Sequence, residues 1–402
     1  MTTDRDATHD ISRRGFLRAS SLGSAAIVFG GAAILSACDP VDLLTANADR
    51  LRLHPFFTSR TVATTGTNVA GTSYEWHRWP DGGACFPLPD GGWSYVSNSE
   101  LVDGVGFIRF SADGTITDAG SCLEGTFINC AGGKTPWGTW LSCEEYPNGS
   151  VWECDPIGAV PGVRREAMGV FRHEAAAADP HGQKIYMTED ISDGGLYRFT
   201  PDTWGDLQTG LLEILTEPKP DHLVWVEVPD PTGGADNPTR YQVADTKIFN
   251  GGEGIDLANG KIIIGTKGDN RVWSYEPTKN HLSVIYDPNV QMNGVLSGVD
   301  NVVASDAGVI YVAEDGGDMQ IVLVREDGST FPVVQVVDTP ESEICGPAFD
   351  PSGTRLYFSS QRNPGETFEV TGPWAAFTDP GPVEWPPGSG KAVTLADIEA
   401  LL

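Results

Sequence analysis

One short plan recurs along this chain at nearly equal intervals, and it constrains the fold more than any other feature. "EAAAADPHGQKIYMTED" (174–190), "EGIDLANGKIIIGTKGD" (253–269), "DNVVASDAGVIYVAED" (300–315) and "GPAFDPSGTRLYFSSQ" (346–361) follow it. Each reads as an apolar alternating strand, a turn of the D-x-x-G kind, and a second strand with an aromatic or aliphatic residue near its start. That residue is Tyr186, Ile263, Tyr311 or Tyr357, and "WGTWLSCEE" and "GGWSYVSNSE" supply Trp140 and Tyr95. Successive marks lie 45, 46, 77, 48 and 46 residues apart. The long interval holds an insertion, placed near Pro201–Asp245.

Units of this length with several strands each are the blades of a β-propeller, which closes into a ring and leaves no long sheet edge open. Six marks predict an all-β, six-bladed β-propeller over residues 71–372, with loop insertions. The alternative is a β-sandwich with accidental spacing. A content of 48 Gly and 28 Pro fits a chain built from short strands and turns. Residues 38–70 read as a tether and a lead-in strand. Residues 373–402 read as a Pro/Gly-rich tail ending in "TLADIEALL", where Thr394 and Asp397 form a capping-box pattern for a short C-terminal helix.

Residues 1–37 read as an export signal. "SRRGFLRAS" carries Arg13 and Arg14 ahead of Phe16 and Leu17, the twin-arginine pattern. A small-residue apolar run follows from Ser20 to Ala37, and "LSAC" is a lipobox with Cys38 as the residue to be lipidated. The expectation is an extracytoplasmic monomer, exported by the twin-arginine route and held to the cell membrane only through Cys38. The net charge is −29, and removing a signal with four Arg and three Asp leaves −30. Such acidity argues against nucleic acid as a partner. Six cysteines follow Cys38: Cys85, Cys122, Cys130, Cys143, Cys154 and Cys345. Outside the cytoplasm they are expected to form disulfides.

In a propeller the innermost strand of each blade lines a central channel, and the starts of those strands gather at one mouth. Glu174, Glu253, Asp300 and Glu343 all fall at such starts, so four blades are expected to bring four acids together. Packed carboxylates repel, and either take up protons or bind cations. The following strand adds Cys143, Glu189 and Glu314, then Glu144, Asp190 and Asp315, as further candidate ligands. Oxygen-rich sites suit Ca²⁺ or Mg²⁺, and a thiolate suits a softer or more Lewis-acidic ion such as iron or zinc. For Cys143 a disulfide and a metal ligand both stay open on this evidence. Cations held at an acidic mouth neutralise and orient phosphate oxygens, which points to phosphoester hydrolysis. No G-x-S-x-G motif is present, and seven His disfavour a His-rich zinc site.

Together these segments resemble the PhoX-type alkaline phosphatase family. "NCAGGKTPWGTWLSCEE" (129–145) is similar to its most distinctive stretch. "MGVFRHEAAAADP" with "IYMTEDISDGGLYRF" (168–199), then "GEGI", "GVDN" and "EICGPAFDPSGTRLYF", follow in the family's order. The resemblance implies a metal-dependent hydrolase of phosphate monoesters that uses iron and calcium on small phosphorylated substrates. It implies Cys143 as the iron-bound thiolate, with Glu174, Glu253, Asp300 and Glu343 as mouth ligands and Glu144, Glu189 and Asp190 beside them. Three places depart from the family pattern. "FNGGEGI" has Gly251 and Gly252 where Arg-Pro is usual, "QRNPG" has Arg362 where His is usual, and "SNSE" lacks a middle His. Arg362 and Lys247 are the candidate catalytic cations. The competing readings are a metal-binding propeller without turnover and a Ca²⁺-dependent lactonase-like hydrolase.

Overall fold

The computed structural model describes residues 43–291, 294–305, 307–339, 341–377 and 382–400. The stretch read as an export signal, residues 1–37, and Cys38 lie outside the described residues.

Among the described residues six antiparallel sheets of four or five strands follow one another along the chain, with a two-stranded sheet, Val383–Glu384 and Ala392–Val393, after them. The innermost strands of the six are Pro80–Pro87, Asn129–Lys134, His173–Asp179, Gly252–Ala258, Val299–Ala304 and Ile344–Phe349. Each inner strand packs against the inner strands of the blades before and after it, and the sixth packs against the first, so the ring closes. The all-β, six-bladed propeller read from the spacing is the observed fold. All six marks lie on second strands and are buried. They fill the seams between blades: Tyr95 stacks on Tyr357 across the first and sixth blades at 5.1 Å, and Tyr186 meets Tyr275 of the fourth blade at 5.9 Å.

Near the axis there is little room, and the inner strands are built of small residues for that reason. A Cβ at Gly133 would lie 1.7 Å from Ala176 O of the third blade. A Cβ at Gly254 would lie 2.2 Å from Val302 N of the fifth. The run Ala175–Ala178 obeys the same limit. The insertion falls in the third blade, where Asp206–Lys219 and His222–Glu227 extend the sheet to five strands.

The stretch read as tether and lead-in closes the ring. Leu51–Leu53 pairs with Thr330–Val336 as the outermost strand of the fifth blade, and Thr58–Thr64 pairs with Glu366–Thr371 as the outermost strand of the sixth. Leu51 and Leu53 join a core with Phe331, Val334, Trp374 and Ile398, and each fully buried leucine contributes about 1.5–3 kcal/mol. The C-terminal helix forms at Leu395–Glu399, with the Thr394–Asp397 capping box in place. All six described cysteines are buried free thiols, so the expected disulfides are not formed.

Candidate metal centre

The local sequence aims each inner strand at the channel by a repeated device. All six inner strands carry a β-bulge just after their first residues, between Pro80 and Gly83, Asn129 and Gly132, His173 and Ala176, Gly252 and Ile255, Val299 and Val302, and Cys345 and Ala348. A bulge leaves residues unpaired and re-aims side chains. The second residues of these strands are Asp81, Cys130, Glu174, Glu253, Asp300 and Cys345. A second ring is made by the residues that follow the second strands: Glu100, Glu145, Asp190, Lys267, Asp315 and Gln361. Glu343 enters from just before the sixth inner strand.

Four groups of ligand atoms within 4.8 Å of one another result: Asp81 with Glu343 and Cys345; Cys130 with Glu145 and Glu174; Glu174 with Glu253 and Asp300; and Asp300 with Asp315 and Glu343. Shared members make them one continuous cluster at the mouth. Cys130 Sγ is 3.3 Å from Glu174 Oε1, while Glu174 Oε2 is buried with no hydrogen-bond partner. Gln361 Nε2 donates to Asp81 Oδ2 at 2.6 Å and Glu100 Oε2 at 2.8 Å. Three cations face the acids. Arg362 Nη2 is 2.6 Å from Glu343 Oε1, with its guanidinium over the Trp79 ring. Arg172 pairs with Glu145, and Lys267 Nζ is 3.0 Å from Glu253 Oε1.

The charge does not balance. Nine carboxylates (Asp81, Glu100, Glu145, Glu174, Asp190, Glu253, Asp300, Asp315 and Glu343) face three cations. Burial and then mutual repulsion push the acids up: Glu145 to about 7 and Glu343 to about 9. Burial raises Asp300 to about 7, against the pull of Lys267. Glu174, Glu253 and Asp81 rise well above the carboxylate range, first by burial and then by their acidic neighbours. The thiols of Cys130 and Cys345 are pushed up by burial and by the same acids. Buried, repelling carboxylates of this kind either hold protons or hold cations. With an unpartnered carboxylate oxygen at its centre, the donor set fits metal ions of mixed oxygen and sulfur preference.

The structure gathers Glu174, Glu253, Asp300 and Glu343 at this mouth, with Asp190 facing it. It separates the other candidates from it. Cys143 lies in the apolar seam between the second and third blades, among Leu141, Val151, Phe171 and Met187, where burial pushes its thiol up. Glu144 accepts from the Phe127 and Ser150 backbone N–H groups, both at 3.2 Å. Glu189 accepts from Gly195 N, Tyr197 OH and Arg240 Nη1. Glu314 likewise accepts from the Ser297 and Gln320 backbone N–H groups. The reason is strand alternation: successive side chains point to opposite faces, so Glu145, Asp190 and Asp315 turn to the channel while Glu144, Glu189 and Glu314 turn away to secure loops. Lys247 pairs with Glu217 on the fourth strand of the third blade, 2.6 Å away.

Asp81, Cys130, Cys345, Glu100, Glu145, Arg172 and Lys267 escaped the sequence reading, whereas Asp315, read as a rim ligand, does stand with Asp300 and Glu343. A usable signal existed. Counting back from each mark to the inner-strand position gives 10 residues for Glu253, 11 for Asp300 and 12 for Glu174, and the same step back from Trp140 reaches Cys130 at 10. A cavity of about 790 Å³ lies at the other end of the channel, lined by Gly83, Ala177, Val302 and Ala348, away from the acids of the mouth.

The family model described as alkaline phosphatase PhoX matches residues 103–155 and 148–256. Among solved structures, Pseudomonas fluorescens PhoX in complex with vanadate, a transition state analogue, is similar with a TM-score of 0.66 and 15% identity, covering 83% of this chain and 98% of that one. A gluconolactonase from Xanthomonas campestris has a TM-score of 0.51 and 13% identity, covering 87% of this chain and 100% of that one. A Bacteroides thetaiotaomicron protein of unknown function has a TM-score of 0.50 and 10% identity, covering 78% of this chain and 76% of that one. No curated protein matches the chain. Identities this low show a common fold alone, and the family model matches less than half of the chain.

Proposed function

From a chain that carries the PhoX alkaline phosphatase pattern on a PhoX-like propeller, we propose a metal-dependent phosphatase that hydrolyses small phosphate monoesters at the acidic mouth. The observation that carries this reading is the buried convergence of Glu174, Glu253 and Asp300, with Glu174 Oε2 unpartnered, beside the Cys130 thiol. Cys130, Glu145, Glu174, Glu253, Asp300, Asp315, Glu343, Asp81 and Cys345 are the residues that would hold the ions, iron on the thiol side and calcium among the carboxylates. Bound cations would supply Lewis acidity and an activated water at neutral pH.

The chain's own groups supply position. Arg362 has Glu343 and the Trp79 ring to fix it, and its planar fork suits two oxygens of one phosphate. Arg172 stands across the mouth, held by Glu145. Both guanidiniums would orient a phosphate whose charge the carboxylates alone would repel. Export by the twin-arginine route, with lipidation at Cys38, would deliver such a monomer to phosphorylated compounds outside the cytoplasm.

The test is hydrolysis of p-nitrophenyl phosphate by metal-replete protein, with and without chelator. Turnover that is abolished by chelation, restored by Ca²⁺ and inhibited by vanadate supports the reading. Absence of turnover in metal-replete protein would leave a metal-binding propeller without catalysis.

A further inference from the structure

Lys267 breaks the pattern of its ring. The residue that follows the second strand is Glu100, Glu145, Asp190 and Asp315 in the first, second, third and fifth blades, and Gln361 in the sixth. In the fourth blade, after Lys261–Thr266, it is a lysine. The side chain therefore enters a position that its neighbours use to present a carboxylate.

The ammonium sits between two of the candidate ion groups. Nζ is 3.0 Å from Glu253 Oε1 and 3.4 Å from Asp315 Oδ2. Glu253 belongs to the group with Glu174 and Asp300, and Asp315 to the group with Asp300 and Glu343. The backbone holds the lysine there: Lys267 N donates to Gly251 O at 2.8 Å and Gly268 N to Asn250 O at 2.9 Å. A compact ammonium has three donors and no acceptor, so an oxygen engaged by it is not free for a metal on that side.

We propose that Lys267 is a tethered cation that fills the position between Glu253 and Asp315 and so limits how many metal ions the mouth holds. This rests on the reading of the mouth as a cation site. One positive charge anchored by the fold replaces one exchangeable ion. The remaining ions are then directed to the thiol-containing groups on either side, Cys130 with Glu145 and Glu174, and Cys345 with Asp81 and Glu343. Neither group includes a partner of Lys267.

The experiment is metal binding rather than turnover. Full-length protein is stripped with chelator, dialysed against Ca²⁺, and assayed by elemental analysis and titration calorimetry, for wild type, Lys267→Met, Lys267→Gln and Lys267→Arg. Circular dichroism checks that each is folded, and two neutral variants guard against one that fails to fold. The neutral variants should bind about one more Ca²⁺ per chain, or bind their weakest Ca²⁺ about tenfold more tightly, because two carboxylates regain free oxygens. Lys267→Arg should match wild type in stoichiometry, since it keeps the charge. Equal stoichiometry with affinities within about twofold for neutral variants and wild type would overturn the role of Lys267 while leaving the metal site standing. No bound Ca²⁺ in wild type or variants would overturn both readings.

Discussion

Metal-free protein should lose stability as the pH rises from about 7 to about 9, and Ca²⁺ should remove that loss. Glu343 shows why. Its ordinary value is 4.5, and burial, with Asp300 and Asp315 nearby, moves it to about 9 in the fold. Above neutrality the unfolded chain has already released this proton, while the folded chain still holds it. Each step of one pH unit then favours the unfolded chain by about 1.4 kcal/mol, until the folded group also ionises. Over the window, which ends where the folded group is half ionised, the cost is about 2.3 kcal/mol, a sizeable part of the usual stability of a folded domain. Glu174, Glu253 and Asp81 are raised in the same direction, but they share neighbours with Glu343, so their effects do not simply add. The window has to lie above neutrality because buried His54, His77 and His173, lowered by burial to about 4, 4 and 3, oppose the trend up to their ordinary 6.5. Surface acids held low by hydrogen bonds, such as Asp90 and Asp103, lose their contribution only in more acidic solution. The assay is urea unfolding of chelator-treated protein at both ends of the window, with and without Ca²⁺, comparing midpoints at constant slope. Equal stability at both pH values, or a pH dependence that Ca²⁺ leaves unchanged, would refute the account of the mouth as a store of uncompensated charge.

Two further substitution pairs separate the mouth from its surroundings. Cys130→Ser should remove bound iron and any visible thiolate-to-metal absorption, whereas Cys143→Ala should keep both and lower unfolding free energy by about 1–2 kcal/mol through a core cavity; elemental analysis, absorption spectra and denaturation measure each. Arg362→Ala should lower kcat/KM on p-nitrophenyl phosphate about tenfold, or about 1.4 kcal/mol of transition-state stabilisation. Lys247→Ala should leave it unchanged, because that ammonium is engaged by Glu217.

Much of this protein was legible in the chain itself. Marks about 46 residues apart set the blade count because every blade must span the same distance from axis to rim, so its strands and turns have nearly fixed lengths. The capping box at Thr394 and Asp397 specified its helix because both partners lie within one turn. Glu174, Glu253 and Asp300 could be placed at one mouth because each opens an inner strand of an obvious repeat. Three features were settled by tertiary structure. Which of two adjacent acids faces the channel depends on where the strand meets its bulge, so Glu145 was not distinguishable from Glu144 without the pairing register. Which thiols reach the mouth depends on depth along the blade: Cys130 and Cys345 do, while Cys143 packs in an apolar seam thirteen residues after Cys130 in the same segment. The ring's closure by Leu51–Leu53 and Thr58–Thr64 joins residues about 300 positions apart, a pairing no local pattern encodes, because a strand's outer edge accepts any partner of matching alternation and the closed ring selects one.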